Sequence, residues 1–594
     1  MISYKDCNME ELSKIKDEEL LAKLESWFSN SADWDRDWRD NAKVWYEYYA
    51  GTQWKSDEIA TLEERGQAVT TYNHIAPSID SIIGGERQNR PQVKMVGRTP
   101  DDERIAQVKT SLYDYITDNT NSDDEVDSQV LDAAITGRGW MSVYPDMAGD
   151  EFTDIMHTHI DYRDMFVDPY SKKDDLSDAR YVSQAVFTDE DIVKQAFPKY
   201  NPQSSSSTPH NFDSSSDEDI YFDDQERSRP RLINTWYRDE KGTVHTVVWV
   251  KGQILYNKES PYTMNEFPYT LITYKRDLDN KPYGIVKAMV SAQDEVNKRH
   301  SKAMHYMNAR QVLAEEDAFK DMNEAEKTLA KPDGVTILND GALTEGRVQI
   351  IDNTALAATH IQMMEHAKNQ VMAMAGINAS YLGQSGQYES AKKQQGSVAA
   401  AQNVLVPFLN KLRIARYRLA KLTMDLVPDF YADERLIRVL QPTGEFAFMP
   451  VNTPALLDDN TIEIMNNLGN SDVDIQIEDA PSGLNDRIEQ FNQLLGIQGQ
   501  TGRPIPMEIL LRYSGLKDKH QLAAELEQHY ALEAQLQQAQ QQLQMMNEEI
   551  QKLGGQKMQI ESQLIQSNVA RAVDSEVNKA KSQIEKEKNA ILGS

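Results

Sequence analysis

Four carboxylates, Asp472, Asp474, Glu478 and Asp479, fall close together late in the chain. Clustered acids can hold the divalent cation that hydrolyses a phosphodiester bond, so this stretch is the first candidate for chemistry. Its spacing argues for something plainer. Asp472, Asp474 and Gln476 alternate with Val473, Ile475 and Ile477, which puts the acids on the solvent face of a strand. No nearby lysine completes a nuclease set. Asp168, Asp175 and Asp178 pose the same choice: they could gather a cation, but such runs more often close turns. Gly137-Arg138-Gly139 is no dinucleotide fingerprint, because Ser142 stands where the third glycine belongs and a strand follows. Gly383-Gln384-Ser385-Gly386 is one residue short of a nucleophile elbow and lacks the preceding strand. His300 and His305 are poorly spaced for a shared metal. There is no Gly-Lys dipeptide, hence no phosphate-binding loop, and neither HExxH nor CxxC. The sequence predicts no catalytic constellation, no cofactor and no metal site.

What remains is cationic and polar. Between Gly284 and Arg310, Lys287, Lys298, Arg299, Lys302 and Arg310 outnumber Asp294 and Glu295, in a chain of net charge −31. Lys298 and Lys302 could meet phosphate, or bridge to acids on the same helix or the next subunit. Gln384, Ser385, Gln387, Lys392 and Lys393 lie among Gly383, Gly386 and Gly396. That polarity suits a flexible loop touching phosphates, although a plain surface connection would look similar. Arg87 and Arg90 could reach nucleic acid or a neighbour; a structural ion pair is the favoured reading.

Helices must position these groups. From Ile285 to Asn308, Val286, Val290, Val296, Ala303 and Met307 form one row and Asp294, Lys298, Ser301 and His305 another. Both fit the helical template, and such a helix spans roughly 35 Å. A second helix, 355–375, opens after a capping Asn353 or Thr354 and carries Ile361, Met364, Val371, Met372 and Met374. Between them, 321–330 reads as helical, and 334–338 reads as a hairpin with 347–351. Val335, Ile337, Val348 and Ile350 lie on these strands, whose edges could pair with a neighbour. After the polar loop comes a helix that Pro407 should kink. Its second half bears Lys411, Arg413, Arg416, Arg418 and Lys421.

The chain has 594 residues, of which 40% are hydrophobic, enough for several cores. No run approaches the length of a membrane span. The start, MISYKDCNMEELSKIKDEEL, lacks the apolar core of a signal peptide. Cys7 is alone, so no intramolecular disulfide forms, which fits a reducing compartment. The acidic balance is wrong for a protein that grips DNA through clustered Lys and Arg. It could serve solubility alone.

In order, residues 10–30 read as a helix with Leu12, Ile15, Leu20, Leu21 and Leu24. Trp27, Trp34, Trp38 and Trp45 then lie on one helical face, as core. Residues 100–136 are helical and a strand follows at Trp140. The acidic, Ser-rich stretch 203–230 cannot bury enough surface to order itself. Leu232–Tyr256 reads as a β-meander turning at Gly242 and Gly252. Short strands return over 427–480, and two short helices fit 484–515. Leu536, Ala539, Leu543, Met546, Ile550 and Leu553 make a heptad seam.

Several local patterns carry a family likeness: Gly51-Thr52-Gln53-Trp54, Asn73-His74-Ile75-Ala76-Pro77, Arg87-Gln88-Asn89-Arg90-Pro91, Asp168-Pro169 with Asp178-Ala179, and Pro282-Tyr283-Gly284. With the order helix, small domain, helix, polar loop, broken helix, the chain resembles the portal (head–tail connector) proteins of tailed bacteriophages, of the larger podophage type. The resemblance implies an α+β, mainly helical portal fold. Its parts would be a wing (1–282, with a mobile acidic loop 203–230), a first stem helix (283–308), a clip (309–352) and a second stem helix (353–375). A tunnel loop (376–396), a kinked wing helix (397–427), a completion of the wing sheet (428–480), a crown (481–520) and a C-terminal helical barrel or coiled coil (521–594) would follow. It implies Gln384, Ser385, Gln387, Lys392 and Lys393 as DNA-facing loop residues and Lys298 and Lys302 as stem-channel residues. Val335, Ile337, Val348 and Ile350 would be clip contacts. It implies a homo-oligomer of twelve subunits around double-stranded DNA, without a membrane. The partners would be the terminase large subunit, the major capsid and scaffolding proteins and a head–tail adaptor. The ring would sit at the portal vertex of the virion after assembly in the host cytoplasm. Twelve copies would carry 12 × −31 = −372 formal charges. The alternatives are a coiled-coil virion scaffold, against which the β-rich regions argue, and a metal-dependent nuclease at 472–479.

Overall fold

The computed structural model describes residues 16–88, 90–99, 102–148, 151–202, 229–308, 311–329, 334–351, 354–376 and 391–431. It also describes shorter runs at 435–440, 446–456, 462–465, 468, 473–478, 494, 496, 536, 538–545 and 558–591. The chain divides into one unit over Met1–Gly483 and another over Leu484–Ser594. The first is a mixture of helices and antiparallel sheets in which helix predominates.

A single long helix, α1 (Asp17–Ala50), opens it. Gly51, at φ 95°, stops it; the Thr52 and Gly51 amides fall back on the Glu47 and Tyr48 carbonyls, a Schellman end. Leu12 and Ile15 lie outside the described residues. The tryptophan row is not uniformly core: Trp38 and Trp45 are buried, but Trp34 is 38% exposed. The reason is that α1 crosses two cores. Leu20, Leu24, Phe28 and Ala32 pack on one sheet, Trp38, Ala42 and Trp45 on another core. Trp34 falls between them, with the Lys281 ammonium 5.9 Å above its ring.

Next come α2 (Ser56–Glu64), α3 (Ile75–Gln88), β1 (Gln92–Gly97), α4 (Glu103–Asn119) and α5 (Ser122–Thr136). Then β2 (Arg138–Ala148), β3 (Glu151–Ile160), β4 (Met165–Val167), β5 (Tyr181–Phe187), α6 (Glu190–Ala196), β6 (Arg231–Arg238), β7 (Val244–Val250), β8 (Gln253–Glu259) and β9 (Tyr269–Thr273) build two sheets, ordered β3-β2-β9 and β4-β5-β6-β7-β8. The expected meander is β6-β7-β8. β7 is buried on both faces, Val247 and Trp249 in one core and Val244 in another, and Leu255 of β8 is the extra residue where the register slips. The 203–230 stretch lies outside the described residues except for its last two. Asp168 and Asp178 close turns, accepting the amides of Tyr170 and Arg180 and of Lys172 and Lys173 respectively.

The remaining elements of this unit are β10 (Lys275–Arg276), β11 (Pro282–Tyr283), α7 (Val286–Asn308), β12 (Gln311–Ala314), α8 (Met322–Leu329), β13 (Val348–Ile351), α9 (Thr354–Met374), α10 (Ala391–Phe430), β14 (Arg435–Leu440), β15 (Phe446–Val451), β16 (Thr453–Leu456), β17 (Ile462–Met465) and β18 (Val473–Glu478). Among the described residues the returning strands form pairs, β14 with β15, β16 with β17 and β18 with β1, the last placing Val93 against Ile477 and Met95 against Ile475. One end of that pair is tied down by two arginines of α10: Arg413 donates to the Ile477 carbonyl (2.7 Å) and Arg416 to that of Pro91 (3.1 Å). Three further bases of α10 also serve the fold, Lys411 on Asp174 and Arg418 and Lys421 on Glu266. The helix runs on through Pro407 and Pro428.

In the C-terminal unit, Leu536, Ala539 and Leu543 are half-buried while their glutamine neighbours are exposed, a seam's signature; Met546, Ile550 and Leu553 lie outside the described residues. So do the helices expected over 484–515, apart from residues 494 and 496. Beyond, α11 (Met558–Ile591) shows Val569, Val573, Val577 and Ala580 half-buried along one side. Among the described residues no helix is long and apolar enough to cross a membrane.

One buried polar chain joins α5, β3 and α10. Ser122 Oγ bonds His157 Nδ1 (2.6 Å), and His157 Nε2 bonds Thr423 Oγ1 (2.8 Å). Burial pushes the His157 pKa down to about 4, against about 6.5 in an unfolded chain. Between those values the unfolded state holds the extra proton, so stability falls as pH drops, by up to ~1.4 kcal/mol per pH unit. We expect His157→Gln to lose less of its melting temperature between pH 7 and pH 5 than the parent protein does, as read by calorimetry.

Candidate functional site

Helices α7 and α9 form an antiparallel hairpin whose seam is built from small and branched residues. Val296 and Ala303 on one side and Ala357, Ala367, Val371 and Ala375 on the other are all buried. Small side chains let the two backbones approach closely. Arg299 reaches His360 Nδ1 across the seam (3.3 Å) and the Tyr306 ring stacks on His360 with centroids 5.5 Å apart. Partial burial, with Arg299 and Lys302 nearby, lowers the His360 pKa, so the ring stays neutral and able to accept.

The start of α7 is fixed by backbone touching backbone. The Ile285 amide donates to the Ala134 carbonyl at 2.7 Å. A Cβ on Gly284 would collide with the carbonyls of Ala134 and Ile135, and one on Gly137, itself at φ +95°, with the Tyr283 backbone. Only glycine fits both places. The Pro282-Tyr283-Gly284 pattern is therefore the joint where the hairpin leaves the body.

A strap formed by residues 52–74 holds the other side of α7. Three polar residues, Gln293, Asn297 and Ser301, are buried on α7 at successive turns. Gln293 donates to the Tyr72 carbonyl (2.7 Å) and accepts from the His74 amide (3.0 Å). Asn297 accepts from the Tyr72 amide (3.0 Å) and donates to Gln53 Oε1 (2.7 Å). Tyr72 packs on His300 with centroids 4.1 Å apart, and Tyr48 donates to Asp294 (2.6 Å). Two of the local patterns thus have physical roles. Gly51 ends α1, Gln53 clasps α7 and Trp54 closes the strap on the Thr70 carbonyl (3.2 Å). Asn73 caps α3 by accepting the Ile75 and Ala76 amides (3.0 and 3.2 Å).

The predicted site residues are scattered. Lys298 forms an ion pair with Glu58 of α2 (2.9 Å), which raises the lysine's pKa and lowers the acid's. Lys302 is exposed. The 334–338 segment does not pair with 347–351: β13 pairs with β12, joining Val348 to Ala314 and Ile350 to Val312. The return arm meets the outgoing one further along, at Phe319 and Leu338, and the Asn339 amide group caps the Asp317 and Phe319 carbonyls. Local turn signals at 339–346 suggested a hairpin, but the turn closes on itself through Arg347 N–H to Ala342, and longer-range pairing takes both strands. Val335 and Ile337 are left 81% and 58% exposed. Helix α10 starts earlier than expected, so Lys392, Lys393 and Gly396 lie in it, not in a loop. Ala, Lys and Gln favour helix enough to carry one glycine at a cost of about 1 kcal/mol. Gln384, Ser385 and Gln387 lie outside the described residues.

Arg87 and Arg90 are structural, as expected. Arg90 binds Glu86 (2.7 Å) and Asp123 (2.6 Å), and Arg87 binds Asp127 (2.6 Å) and Asp124 (3.0 Å). Asp474 lies exposed on β18 and meets Arg98 at 2.8 Å; Asp472 and Asp479 lie outside the described residues. Among the described residues no cluster of His, Cys, Asp or Glu could hold a metal ion. One grouping escaped the sequence: Ser128, Asp132 and His159 line a single cleft. It is not a nucleophile triad, since Asp132 is shared between Tyr46 and His159 while Ser128 donates to the Asp124 carbonyl. Burial opposes charge on His159, but bonding to Asp132 outweighs it and holds the pKa above the ordinary value.

The strap's hold can be measured. Gln293→Leu with Asn297→Leu leaves the Tyr72 and His74 amides without partners, at ~1–3 kcal/mol for each group that stays buried. The double variant should be cut between residues 55 and 72 by a protease well before the parent protein; equal cleavage rates would mean that the strap is held by something else.

Comparison with known proteins relates this sequence to bacteriophage portal proteins. The family model for the phage P22-like portal protein covers residues 25–572. A portal protein of Helicobacter pylori bacteriophage KHP30 is 20% identical over 427 residues, which span 70% of this chain and 67% of that one. The matched span includes the strap, the glycine joint and the α7–α9 hairpin together. The chain belongs to the P22-like portal protein family of bacteriophages.

Proposed function

We propose that this protein is the subunit of a portal ring, set at one vertex of a phage capsid, through which double-stranded DNA enters during packaging and leaves during ejection. The match over residues 25–572 carries this reading. The protein is structural and breaks no phosphate bond: the nearest thing to a nuclease cluster has Asp474 on Arg98.

In this reading the α7–α9 hairpin is the stem, and the 311–351 arm at its tip is the clip. Exposed Val335 and Ile337, with Val348 and Ile350 on β13, would meet the neighbouring clip or a docking protein. Residues 376–390 with the first turn of α10 form the tunnel loop, where Gln384, Ser385, Gln387, Lys392 and Lys393 would touch phosphates. Residues 1–282 form most of the wing, 397–480 return to it, and 481–594 form crown and barrel. Twelve subunits would surround the DNA. The clip would receive the terminase large subunit first and a head–tail adaptor later, while capsid and scaffolding proteins hold the wing. Assembly takes place in the host cytoplasm.

The strapped α7–α9 hairpin supports this, because a hairpin stiffened by the strap and, among the described residues, exposed along the amide row of α9 suits repetition around an axis. Native mass spectrometry of the purified protein should give a species near 811 kDa, twelve times 67.6 kDa. A sole species at the subunit mass, with no annular particles in the electron microscope, would refute the ring.

A further inference from the structure

The two helices of the hairpin offer very different outer surfaces. On α9 the seam row is Ala357, Met364, Ala367, Val371 and Ala375, buried or half-buried against α7. Half a turn away lie Ala355, Thr359, Gln362, His366, Asn369 and Ala373, with Gln370 beside them, all exposed. That row has no carboxylate, lysine or arginine, although 26% of the chain is charged. The only full charges exposed or half-exposed on α9, Glu365 and Lys368, sit to one side of it and face each other at 3.8 Å. On α7 the exposed row holds Lys287, Lys298 and Lys302. Lys298 is committed to Glu58, and the strap lies along this helix through Tyr72, Gln53 and His74. The strap also reaches the charged side of α9, where Lys368 and Glu365 act on His74, so among the described residues it is the amide row of α9 that is left exposed on the far side of the hairpin.

We propose that the uncharged outer row of α9, and not the lysines of α7, is the surface the stem turns toward duplex DNA. The proposal rests on the ring reading above and names the face within it. Fixed cations would bind phosphate and release counterions, giving salt-dependent grip; fixed anions would repel. Glutamine, asparagine and threonine can exchange weak hydrogen bonds with a passing backbone without either effect. The flank beside this row is apolar, with Leu356, Met363 and Met374 50%, 44% and 42% exposed. In a ring that flank falls against the next copy's hairpin, which leaves the amide row facing the hole.

The test uses assembled full-length particles and a short linear duplex, with retention measured by filter binding over a range of salt. Gln362→Lys with Asn369→Lys should tighten retention at low salt by about ten-fold or more and steepen its salt dependence. Lys287→Glu with Lys302→Glu should change it by less than about two-fold. If all variants form rings but only the α7 pair alters retention, the assignment is wrong. If the α9 variant fails to assemble while the parent protein does, this face lies between subunits and the assignment is again wrong. If the parent protein forms no ring, the portal reading itself falls.

Discussion

The hairpin depends on a place where two backbones touch. The end of α5 and the entry to α7 meet with no side chain between them: Ile285 N–H on the Ala134 carbonyl, Gly137 against Tyr283, Gly284 against Ala134 and Ile135. Backbone contact of this kind has no rotamers to adjust, so it sets the direction of α7 more firmly than packed side chains could. Every later element of the hairpin inherits that direction. A residue larger than glycine would have to push one chain away from the other.

The second constraint is polar. Buried amide side chains are costly unless every donor and acceptor is met. Gln293 and Asn297 meet theirs on the strap's backbone, at Tyr72 and His74, and on Gln53. An apolar strap could slide along the helix; a hydrogen-bonded one has a single register. The same logic runs through α10, whose arginines end on carbonyls of β9, Ile477 and Pro91 or on Glu266. Much of the protein's positive charge is used up inside the subunit. The chain as a whole carries a net charge of −31.

The regular helices were legible from periodicity: α7, α9 and the meander β6-β7-β8 follow patterns any amphipathic element shows. Family-like patterns also marked the right places, and the structure supplies their reasons in Gly51, Gln53, Asn73 and Gly284. Pairing at long range was not legible. Nothing local tells 348–351 to choose 311–314 over the nearer 334–338, or β18 to choose β1 across most of the chain. Trp34 failed for a related reason, since a helix wheel assumes one core and α1 crosses two. Lys298 looked available because its partner, Glu58, is remote in sequence. The clasp itself had a readable signal that went unused: Gln293, Asn297 and Ser301 place three polar groups at helical spacing among apolar ones, which marks a polar partner.

The central claim is a ring in which each subunit's strap stiffens the hairpin and the exposed amide row of α9 faces the hole. A cryo-electron microscopy reconstruction of the purified particle tests it most directly. The account predicts closed annuli with Gln362, His366 and Asn369 on the wall of the hole and Glu58 behind α7. Particles whose hole is lined by α2, or single subunits whose hairpins fold onto each other without a symmetry axis, would contradict it.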